Sequence, residues 1–204
     1  MLIDRRSLLV LASGGLSNAA LTRGAQAQSG DPRMSERSFG HADAPVTVAE
    51  YFSLTCTHCA AFSRHVMPDI TAKLINTGKV RMVYHDFPLD QVALTAAMVA
   101  RALPPERYEP FISALFASQD RWAFARGVNS TEELAKMALL AGMSRTTFDA
   151  TIADQGLRTA ILEAQRQAEA QYHIDSTPTF VANGKTHSGE LTYDAFAQFA
   201  AASG

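Results

Sequence analysis

The 204-residue chain is 47% hydrophobic and 19% charged, with a formal net charge of −2. That is enough apolar material for one globular domain with a sizeable core. The near-neutral balance supplies no basic field for nucleic acid and no acidic tail for a basic partner, so electrostatics alone select no function.

The chain opens with a charged start, a short apolar run from Leu8 to Leu21, and Ala25-Gln26-Ala27 as a small-x-small cleavage site. The pattern predicts an export signal over residues 1–27, removed after Ala27. Gly14, Gly15, Ser17 and Asn18 interrupt the run, which falls short of the about 20 apolar residues of a spanning helix. Asp4-Arg5-Arg6-Ser7-Leu8-Leu9 resembles a twin-arginine export motif, with general secretion as the alternative route. Residues 28–40 are polar and without periodicity, and they read as a flexible lead, the fold starting near Ala44.

Val46 to Phe52 is β-rich and mostly apolar, as a buried strand should be. It runs straight into Cys56 and Cys59. Cys59, Phe62, Val66, Ile70 and Leu74 then recur at steps of three and four, on one face of a helix that Pro68 kinks and that ends near Asn76 to Gly78. Lys79 to Phe87 is a second strand, so the order predicts a parallel crossover unit. From Leu89 to Tyr172 every readable segment is helical, with Ser130 and Glu133 in a capping-box pattern and Gly142 as a terminator. Strand character returns at Thr177, Asn183-Gly184 marks a hairpin turn, and a last helix spans about Tyr193 to Ala201.

The chain's only two cysteines admit three readings: a structural staple, half of a metal site, or a redox centre. Export would place them in an oxidising compartment, where free thiols pair. A disulfide stabilises mainly by closing a long loop, and C-x-x-C closes nearly the shortest one, which argues against a staple. A zinc site lacks its other half: there are no further cysteines, and His65, His85, His173 and His187 show no H-x₃₋₅-H spacing. A c-type haem attachment would need histidine where Ala60 stands. A strand that ends in C-x-x-C and opens a helix suits a dithiol redox site. Unpaired N–H groups and the helix dipole there favour a thiolate at the first cysteine, and the second lies one turn in and more buried. His58, between them, can add a positive charge or a donated hydrogen bond beside the Cys56 sulfur.

From Gly40 to Ala201 the chain resembles a DsbA-type periplasmic thiol:disulfide oxidoreductase of the thioredoxin superfamily. The residues that carry the likeness are "VAEYFSLTC", Cys56-Thr57-His58-Cys59, Pro68, "GKVRMVYHDFPLD", the helical stretch and "STPTFVANG". The resemblance implies an α/β, thioredoxin-like fold over residues 41–88 and 174–204, with a helical domain, residues 89–173, inserted between the strand-helix-strand half and the cis-proline half. It implies that Cys56–Cys59 is a redox-active disulfide working without a cofactor or metal. It also implies that Pro178 is the cis-proline beside that disulfide, which with Thr57 and Thr177 contacts the substrate by strand addition.

Glu50 matches the family's buried acid, a proton shuttle, although the sequence pattern alone equally fits a solvated rim residue. Three positions depart from the best-known oxidases: Thr57 stands for proline, Thr177 for a frequent valine, and apolar Val83 for the lysine that partners the acid. The implied partners are reduced exported proteins or peptides and a membrane protein that re-oxidises the site. Nucleic acid is not among them, and the chain is expected to be a periplasmic monomer. A disulfide isomerase or reductase, or a peptide-binding chaperone-like module, are the alternatives.

Overall fold

The computed structural model describes residues 30–203; the export signal expected over residues 1–27, with its cleavage after Ala27, lies outside them. Five strands stand in the order β1-β3-β2-β4-β5. Strand β2 (Val46–Phe52) runs parallel to β3 (Val80–Asp86). A parallel pair needs a crossover, here α1 (Thr57–His65), α2 (Met67–Ile70) and a π-helical turn at Thr71–Ile75. Pro68 lies in the first turn of α2, where its missing N–H breaks no hydrogen bond, and only Val66, at φ −114°, separates the two helices. The single helix kinked at Pro68 that the sequence predicts is instead two helices, α1 ending at His65 and α2 starting at Met67 with the proline in its first turn.

Between β3 and β4 (Thr179–Ala182) lie six helices: α3 (Gln91–Ala102), α4 (Pro105–Ala117), α5 (Gln119–Trp122), α6 (Ser130–Leu140), α7 (Arg145–Ala153) and α8 (Gln155–Tyr172). The α6 cap is Asn129, whose side chain accepts from the Thr131 and Glu132 N–H groups, one residue before the expected Ser130. Strand β5 (Lys185–Ser188) pairs antiparallel with β4 through Asn183 and Gly184, at φ +47° and +75°. Such values suit a two-residue hairpin turn. Helix α9 (Tyr193–Ala201) completes the thioredoxin-like α/β fold with its helical insertion.

Strand alternation sends Val48, Glu50 and Phe52 to one face of β2, and Ala49 and Tyr51 to the other. On the first face Phe62 of α1, Phe180 of β4 and Phe196 of α9 pack together, Phe62–Phe180 tilted with centroids 4.8 Å apart and Phe180–Phe196 edge-on at 5.9 Å. Phe52 meets Phe116 of α4 edge-on at 5.6 Å, which fastens the insertion to the sheet. Tyr51, Phe87, Ala168, Ile174 and Val181 form a smaller cluster on the opposite face.

The flexible lead expected over residues 28–40 is not what the described part, residues 30–40, shows. Pro32–Met34 is a 3₁₀ turn capped by Asp31, and β1 (Arg37–Phe39) pairs antiparallel with β3, Arg37 opposite Tyr84. Three residues are too few for a periodic signal, and the ordering group is polar. The Arg37 guanidinium is buried and stands 5.6 Å from the centroid of Tyr108, a ring it shares with Arg101 at 5.1 Å. Gly40 ends the strand at φ +112°, where a Cβ would come within 3.0 Å of the Val80 carbonyl oxygen.

Arg101 pairs with Asp86, both nearly inaccessible, and Asp86 also accepts from the Tyr108 hydroxyl at 2.9 Å. This buried group joins the end of β3 to α3 and α4. Removing one member of a buried pair leaves an uncompensated charge. Arg101→Met is therefore expected to cost about 3–5 kcal/mol in urea unfolding, and a loss below about 1 kcal/mol would mean that the pair carries no such role.

Candidate active site

The site begins where β2 ends. Cys56 is the N-cap of α1, with extended backbone at φ −77° and ψ 120°, and its Sγ accepts from the Cys59 N–H at 3.4 Å. An N-cap side chain normally satisfies one of the unpaired N–H groups of the first turn; here that acceptor is a sulfur. Cys59, one turn later, is fully buried, whereas Cys56 is half-buried. Both are thiols in this structure.

The two sulfurs have opposite electrostatics. The Cys59 thiol donating to it holds Cys56 well below its ordinary value, at about 5, against the opposing effect of burial, with the Thr177 hydroxyl and the N–H groups of Cys59 and His58 adding to the lowering. Burial, and then the Cys56 sulfur and Glu50 beside it, push Cys59 up. One thiol ionises readily and the other resists.

The Thr177–Pro178 peptide bond is cis. Cys56 Sγ lies 3.2 Å from the Thr177 carbonyl oxygen, to which the protonated thiol donates. Thr177 Oγ1 is buried without a hydrogen-bond partner, so it is the donor available to the sulfur once the thiol ionises. The β2–β4 pairing, Glu50 opposite Phe180, is what brings this segment against Cys56 across more than a hundred residues of chain. Thr57 is exposed beside the sulfur.

His58 is placed differently from the sequence expectation. Its ring is 72% exposed and its Nδ1 lies 3.4 Å from Glu190 Oε2. What His58 gives Cys56 is its backbone N–H. Glu50 is a buried group, 3% exposed, which excludes the rim reading. Burial, followed by the nearby Cys56 sulfur, raises its carboxyl to about 8. Beside it on β3 stands Tyr84, not Val83, which is level with Ala49 on the other face. A cleft of about 240 Å³, lined by Glu50, Tyr84, Pro68 and Glu109 among others, reaches the carboxyl from the surface. Burial raises Glu109 as well. Neither Tyr84, Glu109 nor Glu190 carried a signal in the sequence: the fold alone brings them to the site from β3, α4 and the segment after β5. Among the described residues no three His, Cys, Asp or Glu side chains stand together as a metal site.

A helix-capping C-x-x-C facing a cis-proline, on a sheet of this order, defines a thioredoxin-like dithiol protein. The thioredoxin family's sequence profile matches residues 33–201. A crystallised variant of Wolbachia pipientis alpha-DsbA1 superposes with a TM-score of 0.75 at 30% identity, over 83% of this chain and 90% of the other. A Rickettsia typhi protein named as a protein-disulfide oxidoreductase is 31% identical over 147 residues, 71% of this chain. The match covers 53% of that relative, so the chain spans about half its length. The Bordetella pertussis thiol:disulfide interchange protein DsbA is 25% identical over 151 residues, 69% of this chain and 64% of the relative. The chain belongs to the thioredoxin family, in its DsbA-type branch.

The sulfur electrostatics set a pH dependence of stability. A depressed thiol contributes stability to the reduced protein that is present above the unfolded value, near 9, and is lost as pH falls through about 5. The oxidised form has no thiol to ionise. Burial, the larger cause of the raised Glu50 carboxyl, does not depend on the redox state of the pair, so that part of its effect cancels from the comparison. The reduced protein is therefore expected to melt above the oxidised one at neutral pH, with the gap closing toward pH 5. Thiolate absorbance should titrate near pH 5. An oxidised form that melts higher throughout would contradict this.

Proposed function

We propose that the protein is a thiol:disulfide oxidoreductase that donates the Cys56–Cys59 disulfide to reduced substrate proteins. The observation that carries the reading is the asymmetry of the pair: a half-exposed Cys56 held as a thiolate at the start of α1, over a buried Cys59 that stays protonated. A substrate thiolate attacks Cys56 Sγ, the Cys56–Cys59 bond breaks, and Cys59 leaves, taking up a proton. A second substrate thiolate then attacks the substrate sulfur of the mixed disulfide and releases Cys56 as a thiolate. Two substrate thiols become one disulfide, and the enzyme pair becomes a dithiol.

A low pKa makes Cys56 a good leaving group and stabilises the reduced enzyme, both of which favour oxidation of the substrate. Glu50 supplies the proton to Cys59 and takes it back on re-oxidation, the cleft beside it connecting the carboxyl to solvent. Thr57, Thr177 and Pro178 border the sulfur where an extended substrate segment would lie. Among the described residues no helix is long and apolar enough to cross a membrane. With residues 1–27 read as an export signal the protein acts in the periplasm, and the family resemblance supports exported proteins as substrates, a membrane partner for re-oxidation and a monomeric state.

A less oxidising reductase or isomerase has one observation in its favour. The His58 ring turns to Glu190 and offers Cys56 only its backbone N–H, so its side chain adds nothing to the stabilisation of the thiolate.

Equilibration with glutathione, together with disulfide transfer to a reduced peptide, tests the reading. The equilibrium is expected to favour the dithiol enzyme and oxidised glutathione. Cys56→Ser should abolish transfer, and Cys59→Ser, which has no disulfide to donate, should accumulate a mixed disulfide at Cys56 when it attacks oxidised glutathione and releases one reduced glutathione. Failure of the unaltered protein to oxidise the peptide, or an equilibrium that strongly favours the enzyme disulfide, would exclude an oxidase. Glu50→Gln should slow the step that deprotonates Cys59 about 10-fold at neutral pH, with the Cys56 titration still near its original position; an unchanged rate would remove Glu50 from the proton path.

A further inference from the structure

The loop that delivers Cys56 to its helix is held from outside the thioredoxin-like sheet. Gln119, the first residue of α5 in the helical insertion, is 3% exposed. Its Nε2 donates to the Leu54 carbonyl at 2.9 Å and to the Cys56 carbonyl at 3.0 Å. Both hydrogens of one side-chain amide thus close on two carbonyls that bracket Thr55.

A second link runs in parallel. The Thr55 hydroxyl donates to Asp90 Oδ2 at 2.6 Å, while Oδ1 of the same carboxylate caps α3 at the Ala93 N–H. Ser53 Oγ accepts from the Leu89 N–H at 3.3 Å. The segment from Ser53 to Cys56 therefore has a bond to the insertion or its leading edge at every residue.

We infer that Gln119 is a positioning residue for the redox pair: by holding the Leu54 and Cys56 carbonyls it fixes the backbone that aims the first N–H groups of α1 at the Cys56 sulfur. The inference rests on the reading of Cys56–Cys59 as the exchanging pair. The Cys56 carbonyl accepts the first helical hydrogen bond, from the Ala60 N–H at 3.1 Å, and Gln119 occupies its other side. Rotating that peptide would turn the start of the helix, with the His58 and Cys59 N–H groups, away from the sulfur. Donors aimed in advance stabilise an anion without reorganisation, whereas donors that must be gathered stabilise it less. A buried carbonyl left without its partner would also seek another by moving the loop. Gln119 touches neither sulfur nor substrate in this arrangement. It acts through the backbone.

A merely structural role and a positioning role differ in one measurable respect. Loss of a structural bond weakens reduced and oxidised forms alike and leaves their equilibrium with glutathione unchanged. Loss of thiolate positioning penalises the reduced form alone.

The experiment compares the unaltered protein with Gln119→Met, of similar length and without donors, and with Gln119→Asn, which withdraws the amide by one methylene. In each, Cys56 ionisation is followed by thiolate absorbance and the redox equilibrium is measured against glutathione. Both variants are expected to raise the ionisation midpoint by half a pH unit or more and to shift the equilibrium about three-fold toward the enzyme disulfide, since half a unit corresponds to that factor.

In the unaltered protein, the Gln119 side-chain amide protons should exchange slowly and shift in NMR as the pH passes through about 5, the value for Cys56. This readout serves if neither variant folds. An unshifted Cys56 in the unaltered protein would overturn the functional reading itself. A shifted one, with variants that keep both midpoint and equilibrium, or with Gln119 protons blind to that titration, would overturn the role of Gln119 alone.

Discussion

A negative charge must be kept on one half-buried sulfur, and the fold around the site is organised by that requirement. Burial by itself would raise the Cys56 pKa, so the lowering has to come from donors held in place before the proton leaves. Those donors are the Cys59 thiol, the Thr177 hydroxyl and the backbone of the first turn of α1. Each belongs to a different part of the architecture, and each is immobile for a separate reason. Cys59 is locked in the core. Thr177 is fixed by the pairing of β4 with β2, and the helix start is continuous with the loop that ends β2.

The same requirement explains the neighbouring acid. A thiolate at Cys56 and a carboxylate at Glu50 share a low-dielectric region, and the thiolate's field is part of what keeps Glu50 protonated. A carboxyl at about 8 changes its protonation near neutrality, and the cleft of about 240 Å³ past Tyr84 opens beside it. Burial raises the acid while a cleft still reaches it, which is the combination that the proton transfer proposed for Glu50 requires.

The helical insertion is more than a lid in this arrangement. It contributes Phe116 to the sheet's core face, Tyr108 and Arg101 to the buried group at the end of β3, and Asp90 and Gln119 to the cysteine loop. Its packing and the geometry of the redox pair are therefore coupled through short hydrogen bonds to the main chain of Leu54 to Cys56.

The amino-acid sequence by itself determined the elements whose signals are local. Val46–Phe52, the stepped apolar face after Cys59, the Asn183-Gly184 turn and the C-x-x-C at a helix start are all legible, because alternation, periodicity and turn chemistry act over a few residues. Even the break near Pro68 is signalled locally, because proline suits the first turn of a new helix better than the interior of a continuous one. Tertiary structure decided the rest. Residues 37–39 become a strand by pairing with β3, with Arg37 set against Tyr108, and three residues carry no period. His58 turns to Glu190, Glu50 meets Tyr84 rather than Val83, and Gln119 closes on Leu54 and Cys56. These are hydrogen bonds and charges between polar residues distant in the chain. A polar residue reads alike at the surface and in the core until the fold shows which atoms it meets.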